Sequence, residues 1–251
     1  MSVKSKKYFL SIVIPCFNES KGLKKLFLKI KKSAENYQNI EFIIVENGSF
    51  DNSRSILINY EKKLNIDNIK FVYIDKNIGY GNGIKKGLYY VSPNSEYIGW
   101  THGDSQTDIL DIEKAYKILK TNKSSEKLCI KGKRIKRPYI DSFISKAMSI
   151  MSSLIFFPII LDEINAQPSI FYKDFKLFIL KGPNDFNLDL FAFIGAKLKG
   201  FKFKRFNVFF PKRNQGKSSW NSGLLSKIRF STNSIKYMIN LRKNLNKIPN
   251  L

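Results

Sequence analysis

His102 is the only histidine in the 251-residue chain, and Asp104 follows it by two positions in the segment THGDSQTD, residues 101–108. An imidazole and a carboxylate are residue types able to ligate a divalent cation. Mn2+ accepts nitrogen ligands, whereas Mg2+ prefers oxygen and few protein ligands. Three polar clusters precede this one: IPCFNE (14–19), VENGSFDNS (45–53) and KNIGYGNGIKKGL (76–88). The third carries Gly79, Gly81, Gly83 and Gly87, which let a backbone approach a ligand closely and open a helix whose N-terminus favours anions. Its spacing is neither a G-x-x-x-x-G-K-[ST] phosphate loop nor the dinucleotide fingerprint. Four more clusters follow: GKRIKR (132–137), NAQPSIF (165–171), FNLDLF (186–191) and RNQGKSSW (213–220). Their arginines offer planar forks matched to phosphate oxygens.

The segments between these clusters must position them. Residues 9–16, 40–46, 69–74 and 96–101 are β-rich apolar runs. Residues 19–33, 51–64 and 81–91 carry helical periodicity, the first with Leu23, Leu26, Phe27 and Ile30 on one stripe. Asp51 or Asn52 caps the second helix, so Asp51 reads as a cap before it reads as a ligand. Strand and helix alternating at this rhythm predict a parallel, helix-covered sheet whose ligands sit at the carboxyl ends of the strands. The first four clusters fall at those ends.

In this order and spacing the eight segments resemble the family 2 glycosyltransferases, in particular their dolichyl-phosphate mannose synthase-like branch, over roughly residues 9–220. The resemblance implies an α/β fold of GT-A (Rossmann-like) type, a mixed, mainly parallel sheet with helices on both faces. It implies one domain over 1–220, with a donor-nucleotide half at about 1–110 and an acceptor half at about 111–220. The implied activity is inverting, metal-assisted transfer of a sugar from a nucleotide-sugar donor to a polyprenyl phosphate or a surface glycan. Pro15, Phe17, Asn18 and Glu19 would lie against the nucleoside. Glu46-Asn47 stands where the family has an acidic pair; a carboxylate and an amide still bond a base edge and a ribose hydroxyl. Gly79, Gly81, Lys85, Gly103 and Gln106 complete the donor side, although Lys85 reads equally as a solvated surface lysine. Asp104 keeps the metal-binding position for Mg2+ or Mn2+, and His102, replacing the usual first carboxylate, is a ligand or a structural ring.

On the acceptor side, Asp189 matches a carboxylate that many relatives use as general base; toward an ionised phosphate acceptor it would only position. Asp185 is the alternative, or a helix N-terminal charge. Arg213 would close over the donor phosphates, with Gly216 and Ser218 shaping the acceptor site. Arg134 and Arg137 would reach an acceptor phosphate, and Gln167 would touch substrate.

Composition limits the setting. The net charge is +24, and residues 190–251 carry 14 Lys or Arg with no Asp or Glu. So one-sided a segment faces something anionic, such as lipid headgroups, or is a solvated surface. Residues 221–251 form a basic amphipathic helical extension, with Leu224, Leu225, Ile228, Ile235, Met238 and Ile239 on one stripe. That stripe lies on an anionic leaflet or packs on the domain. The uncharged run 147–161 is short of the roughly 20 residues of a spanning helix and reads as a buried helix followed by a turn, or else a membrane-dipping segment. The N-terminus is basic and then apolar, but lacks a small-residue cleavage site and reads as the first strand. Two cysteines and no metal-ligand spacing fit a reducing compartment. The expected place is the cytoplasm, free or peripheral on the cytoplasmic face of a membrane. Two other readings stand beside this one. A nucleic-acid binder accounts for the pI of 9.9 but leaves the rim clusters unexplained. A catalytically silent relative accounts for the departures at Glu46, Asn47 and His102.

Overall fold

The computed structural model describes residues 6–104, 106–122, 127–137, 139–211 and 224–247. Among these, seven strands form one sheet: β1 Leu10–Cys16, β2 Ile40–Asn47, β3 Ile69–Ile74, β4 Tyr97–Trp100, β5 Leu128–Ile135, β6 Ser169–Tyr172 and β7 Lys202–Phe209. Their order is β3-β2-β1-β4-β6-β5-β7. β1 runs parallel to β2 and β4, β2 to β3, and β5 to β7, whereas β6 opposes both β4 and β5. The sheet is thus mixed and mainly parallel, as the resemblance implies.

β1 and β2 are buried along their whole length, which explains their near-continuous apolar runs: a sheet covered on both faces leaves no polar side. Alternate residues serve opposite faces. Ile12 and Ile14 pack with Leu23, Leu26, Phe27 and Ile30 of α1 (Ser20–Asn36), and the same layer holds α2 (Ser53–Lys63) and α4 (Leu110–Lys120). Val13 packs on the other face with Ile84 and Leu88 of α3 (Tyr80–Tyr90), and that layer holds α6 (Lys176–Leu180) and α7 (Asn187–Leu198). Each such side chain contributes roughly 1.5–3 kcal/mol on burial. α3 lies so close that a Cβ on Gly87 would stand 2.3 Å from Val13 Cγ1.

Two further helices sit on the α3 side: α5 (Tyr139–Ile155) and α8 (Leu224–Lys243). Met238 and Leu241 of α8 are buried in the core and Ile235 packs against it, so these residues of the helix pack on the domain. Ile239 remains exposed. The run 147–161 is indeed helix then turn, but the expectation that the helix is buried needs correction. Ser149 and Ser152 face inward, Ser152 Oγ donating to Met238 Sδ at 3.0 Å, while Ile150, Met151 and Leu154 are exposed. The small serines pack inward together with the partly buried Met148 and Ile155, and the remaining apolar stripe faces out.

Candidate active site

The carboxyl ends of β1, β2, β4 and β5 and the amino end of the opposing β6 share one rim. There the loops after β1 and β2 are laced together. Asn18 N–H donates to Ser49 Oγ (3.0 Å), and Asn18 Oδ1 accepts from the Phe50 amide (3.1 Å). The Glu19 amide donates to Ser53 Oγ (2.9 Å). Asp51 accepts from the Ser53 and Ser20 amides at 2.9 and 3.1 Å and so serves the amino ends of α2 and α1 together. Burial opposes its charge, but these hydrogen bonds outweigh it and hold the carboxyl below its ordinary value. The N-cap position of α2 is Asn52, whose side chain makes no cap hydrogen bond, and Asp51 just before it bonds the first amide of the helix. Asn18 has φ 54°, a left-handed conformation that Asn tolerates better than most residues. Phe17 meets the exposed Phe50 edge-on at 5.6 Å, an aromatic pair at the mouth that the sequence reading did not single out.

Several residues expected on the donor side also hold the rim together. Glu46 is fully buried; its Oε1 accepts from the Ser49 amide at 2.6 Å and its Oε2 lies 3.8 Å from Arg54. Asn47 Nδ2 donates to the Gly79 carbonyl at 3.1 Å. Gly79 and Gly81 approach protein backbone, not an open pocket: a Cβ there would lie 2.3 Å from the Asn184 carbonyl oxygen and 2.5 Å from that of Pro183. The Asn82 amide donates to the same Asn184 oxygen at 2.9 Å, so segment 183–185 sits against the amino end of α3. Lys85 Nζ donates to the Gly182 carbonyl at 2.6 Å, and burial lowers its pKa. Gly79 and Gly81 are thus packed against a segment about a hundred positions away in sequence, whereas Gly83 and Gly87 meet Asn47, Val13 and Val45 of β1 and β2.

The loop after β4 is fixed by close approach. A Cβ on Gly103 would stand 2.5 Å from the carbonyl oxygen of the buried Pro15 and 2.7 Å from Cys16 Sγ. This sets His102 and Asp104 over the end of β1. Asp104 is partly exposed, and its Oδ1 accepts from the Gln106 amide at 3.1 Å. Gln106 Nε2 donates to the Pro211 carbonyl at 3.3 Å, tying this loop to the end of β7. Burial pushes the Cys16 thiol up, and the nearby charges of Glu19, Glu46 and Asp104 add to it, so the rim beneath Asp104 is electronegative. Among the described residues, no group of three or more His, Cys, Asp or Glu stands together as a self-sufficient metal site. A partly exposed carboxylate with one internal hydrogen bond, in a negative field, fits a cation whose other ligands come from a diphosphate.

Deeper in the rim, Asp189 in the first turn of α7 is 2% exposed. Its Oδ1 accepts from Trp100 Nε1 and from Gln167 Nε2, both at 2.8 Å. Gln167 is fully buried and also lies 3.3 Å from the Tyr80 hydroxyl; its amide holds Asp189. Tyr80 stacks on Phe186 at 4.7 Å, and its hydroxyl pKa is raised by burial first, then by Asp189 and Asp104. Lys131 of β5, absent from the sequence reading, is buried with its Nζ on Ile164 O (2.9 Å), Ala166 O (3.1 Å) and Ser169 Oγ (2.8 Å). Burial lowers its pKa to about 8, against the favourable charge of Asp189.

Arg134 and Arg137 share one carboxylate. Glu163, also absent from the sequence reading, accepts from Arg134 Nε at 2.6 Å and lies 3.6 Å from Arg137 NH1. Arg137 Nε and NH1 have no hydrogen-bond partner although they are buried. Burial and then Arg134 lower its pKa to about 10, with Glu163 and Asp141 opposing. Both guanidiniums stand against Phe210, at 5.5 and 5.8 Å from its ring, and His102 approaches the same ring at 6.5 Å. One aromatic ring therefore joins the loop after β4 to the arginine pair. Arg213, Gly216 and Ser218 lie outside the described residues.

The sequence profile described as Glycosyl transferase family 2 matches residues 11–181. The chain belongs to this family. It is 29% identical over 114 residues to the human dolichyl-phosphate beta-glucosyltransferase, a match covering 43% of this chain and 35% of that protein. It is also 29% identical over 152 residues to a dolichyl-phosphate beta-glucosyltransferase of Trichomonas vaginalis, covering 56% and 46%. The matches thus span less than half the length of these curated relatives. In fold, the chain resembles the glucosyl-3-phosphoglycerate synthase of Mycobacterium tuberculosis, solved with Mn2+, UDP and glucosyl-3-phosphoglycerate (TM-score 0.65, 12% identity, 94% of this chain and 80% of that one). A mannosyltransferase of Pyrobaculum calidifontis, solved with GDP-Man and Mn2+, gives a TM-score of 0.57 at 15% identity over 95% and 74%. The fold of this family 2 chain is accordingly of GT-A type.

Proposed function

We propose that the protein is an inverting glycosyltransferase that moves a sugar from a nucleotide-sugar donor to a polyprenyl phosphate at the cytoplasmic face of a membrane. The observation that carries this reading is the convergence on Phe210: the His102–Asp104 loop, suited to a donor diphosphate, meets two buried guanidiniums that share one carboxylate. A buried cation without full compensation is costly unless an anion completes it. An acceptor phosphate would do so, and a neutral sugar hydroxyl would not. The named curated relatives act on dolichyl phosphate, in keeping with this choice. The free, buried Cys16 and Cys129 suit a reducing compartment.

In the proposed reaction an acceptor phosphate oxygen, already ionised, attacks the anomeric carbon. A new C–O bond forms as the bond to the donor's β-phosphate breaks, the electron pair leaves with the nucleoside diphosphate, and single displacement inverts the centre. Arg134 and Arg137 hold and orient the attacking phosphate. Asp189, bonded to Trp100 and Gln167, needs to take no proton and acts as a strut for the floor of the site. Asp104, with His102 beside it, would hold Mg2+ or Mn2+, which supplies charge neutralisation for the departing diphosphate. Phe17, with the exposed Phe50 against its ring, would meet the nucleoside. The test is a thermal-shift titration with UDP, GDP and their sugars, with and without Mn2+, on the protein and on Asp104→Ala. A metal-dependent rise for one nucleotide, lost in the variant, is expected. No rise with any nucleotide overturns the proposal.

A further inference from the structure

The apolar side of α5 is turned outward. Ile140, Phe143, Ile150 and Leu154 are all exposed, Phe143 at 75% and Leu154 at 69%, and the turn that follows adds the exposed Phe157 and Ile160. At about 100° per residue the four helical positions fall on one stripe. The opposite side carries the buried Ser149 and Ser152, and Ser152 meets α8 through Met238, so the helix cannot roll to hide its apolar face. An outward stripe of this size on a soluble fold marks an interaction surface.

Charge identifies its occupant. Lys133 and Lys136 just before the helix and Lys146 within it are exposed. The one acidic residue of α5, Asp141, is only partly exposed. The neighbouring α8 shows exposed Arg229, Lys236, Arg242 and Lys243. A second copy of this chain would set the same basic border against itself, whereas an anionic bilayer offers both hydrocarbon for the stripe and negative headgroups for its border. Among the described residues no helix is long and apolar enough to cross a membrane, so such a contact is interfacial. α5 also starts two residues after Arg137. We propose that the outer face of α5 with the 156–160 turn is the surface by which the protein docks on an anionic lipid bilayer, in the plane of the interface. The inference rests on the polyprenyl-phosphate reading for its purpose: it brings the arginine pair down to headgroup level. It assigns the contact to α5 and not to α8, whose Met238 and Leu241 are buried in the core.

The experiment is flotation with vesicles of phosphatidylcholine alone and of phosphatidylcholine with phosphatidylglycerol, using the full chain and the double variant Phe143→Glu, Leu154→Glu. Both sites are exposed, so circular dichroism should match the parent. The parent should float with the anionic vesicles and at least tenfold less with the neutral ones, and the variant should lose at least tenfold. A parent that binds neither vesicle, or a variant that binds like the parent, overturns the proposal. A concentration-dependent dimer abolished by the same substitutions also overturns it, since the occupant is then a second copy. UDP and GDP thermal shifts on both proteins separate this failure from failure of the transferase reading: intact nucleotide binding without flotation removes the docking surface alone.

Discussion

The indole nitrogen of Trp100 and the Asp189 carboxylate stand 2.8 Å apart across 89 positions of sequence, and the Gln167 amide reaches the same oxygen. β4, the start of β6 and α7 are thereby joined at one buried atom. Trp100→Phe keeps most of the apolar volume but removes one donor to a buried carboxylate, a change that costs about 1–3 kcal/mol. Urea denaturation should show that loss. Asp189→Asn tests the role of the group: with a phosphate acceptor the rate should fall less than about tenfold, because an amide oxygen still accepts from both donors. A general base removed would cost roughly 10²–10⁴, and a fall of that size would return Asp189 to proton transfer.

Lys131 should leave a signature in the pH dependence of stability. Its pKa is about 8 when folded, against an ordinary 10.5. Folding therefore disfavours its charged form, and the penalty is complete below pH 8. Between pH 8 and 10.5 the unfolded chain binds more protons than the folded one, so stability from this group rises with pH, by about 3 kcal/mol in all. Lys131→Met should lack that rise. Equal slopes for the two proteins over this window would contradict the burial of its charge.

Replacing Arg137 separates binding from stability. In the free protein it faces Arg134 with one shared carboxylate and two unpartnered nitrogens. Arg137→Gln should unfold at the same or a higher temperature than the parent, while KM for the lipid phosphate rises at least tenfold, as for a lost charged hydrogen bond of about 1.5–3 kcal/mol. A variant that melts lower with unchanged KM would make Arg137 a structural residue.

Gly103→Ala should damage the site through its backbone. The added methyl meets Pro15 O and Cys16 Sγ well inside contact distance, and must push the loop bearing His102 and Asp104 away from β1. Nucleotide affinity should drop at least tenfold with about 1–3 kcal/mol lost in stability, as for overpacking. Parental affinity would show that this loop does not hold the donor.

The strands and helices of the donor half were legible because their periodicity is local: β1, α1, β2, α2, β3 and α3 begin and end within a few residues of the apolar pattern that predicts them. Which side of an amphipathic helix faces inward is not local. For α5 the small, polar serines pack and the apolar stripe is exposed, the reverse of the usual reading. Gly79 and Gly81 read as a ligand cradle because their partner, 183–185, lies far along the chain. Gln167 and Glu46 have the chemistry to bind substrate, but the fold encloses both. Lys131 and Glu163 gave no signal in any cluster, since a lysine in a strand and a glutamate in a turn acquire meaning only from the neighbours that three dimensions bring.

The central claim is transfer to a lipid phosphate, and the most direct measurement is release of nucleoside diphosphate from UDP- and GDP-sugars in the presence of Mn2+ and vesicles. Vesicles containing a polyprenyl phosphate should release it from one donor, with a matching gain of sugar on the lipid. Vesicles without it, and Asp104→Ala with it, should not. Release that ignores the lipid phosphate, or none with any donor while the nucleotide still binds, would contradict the account.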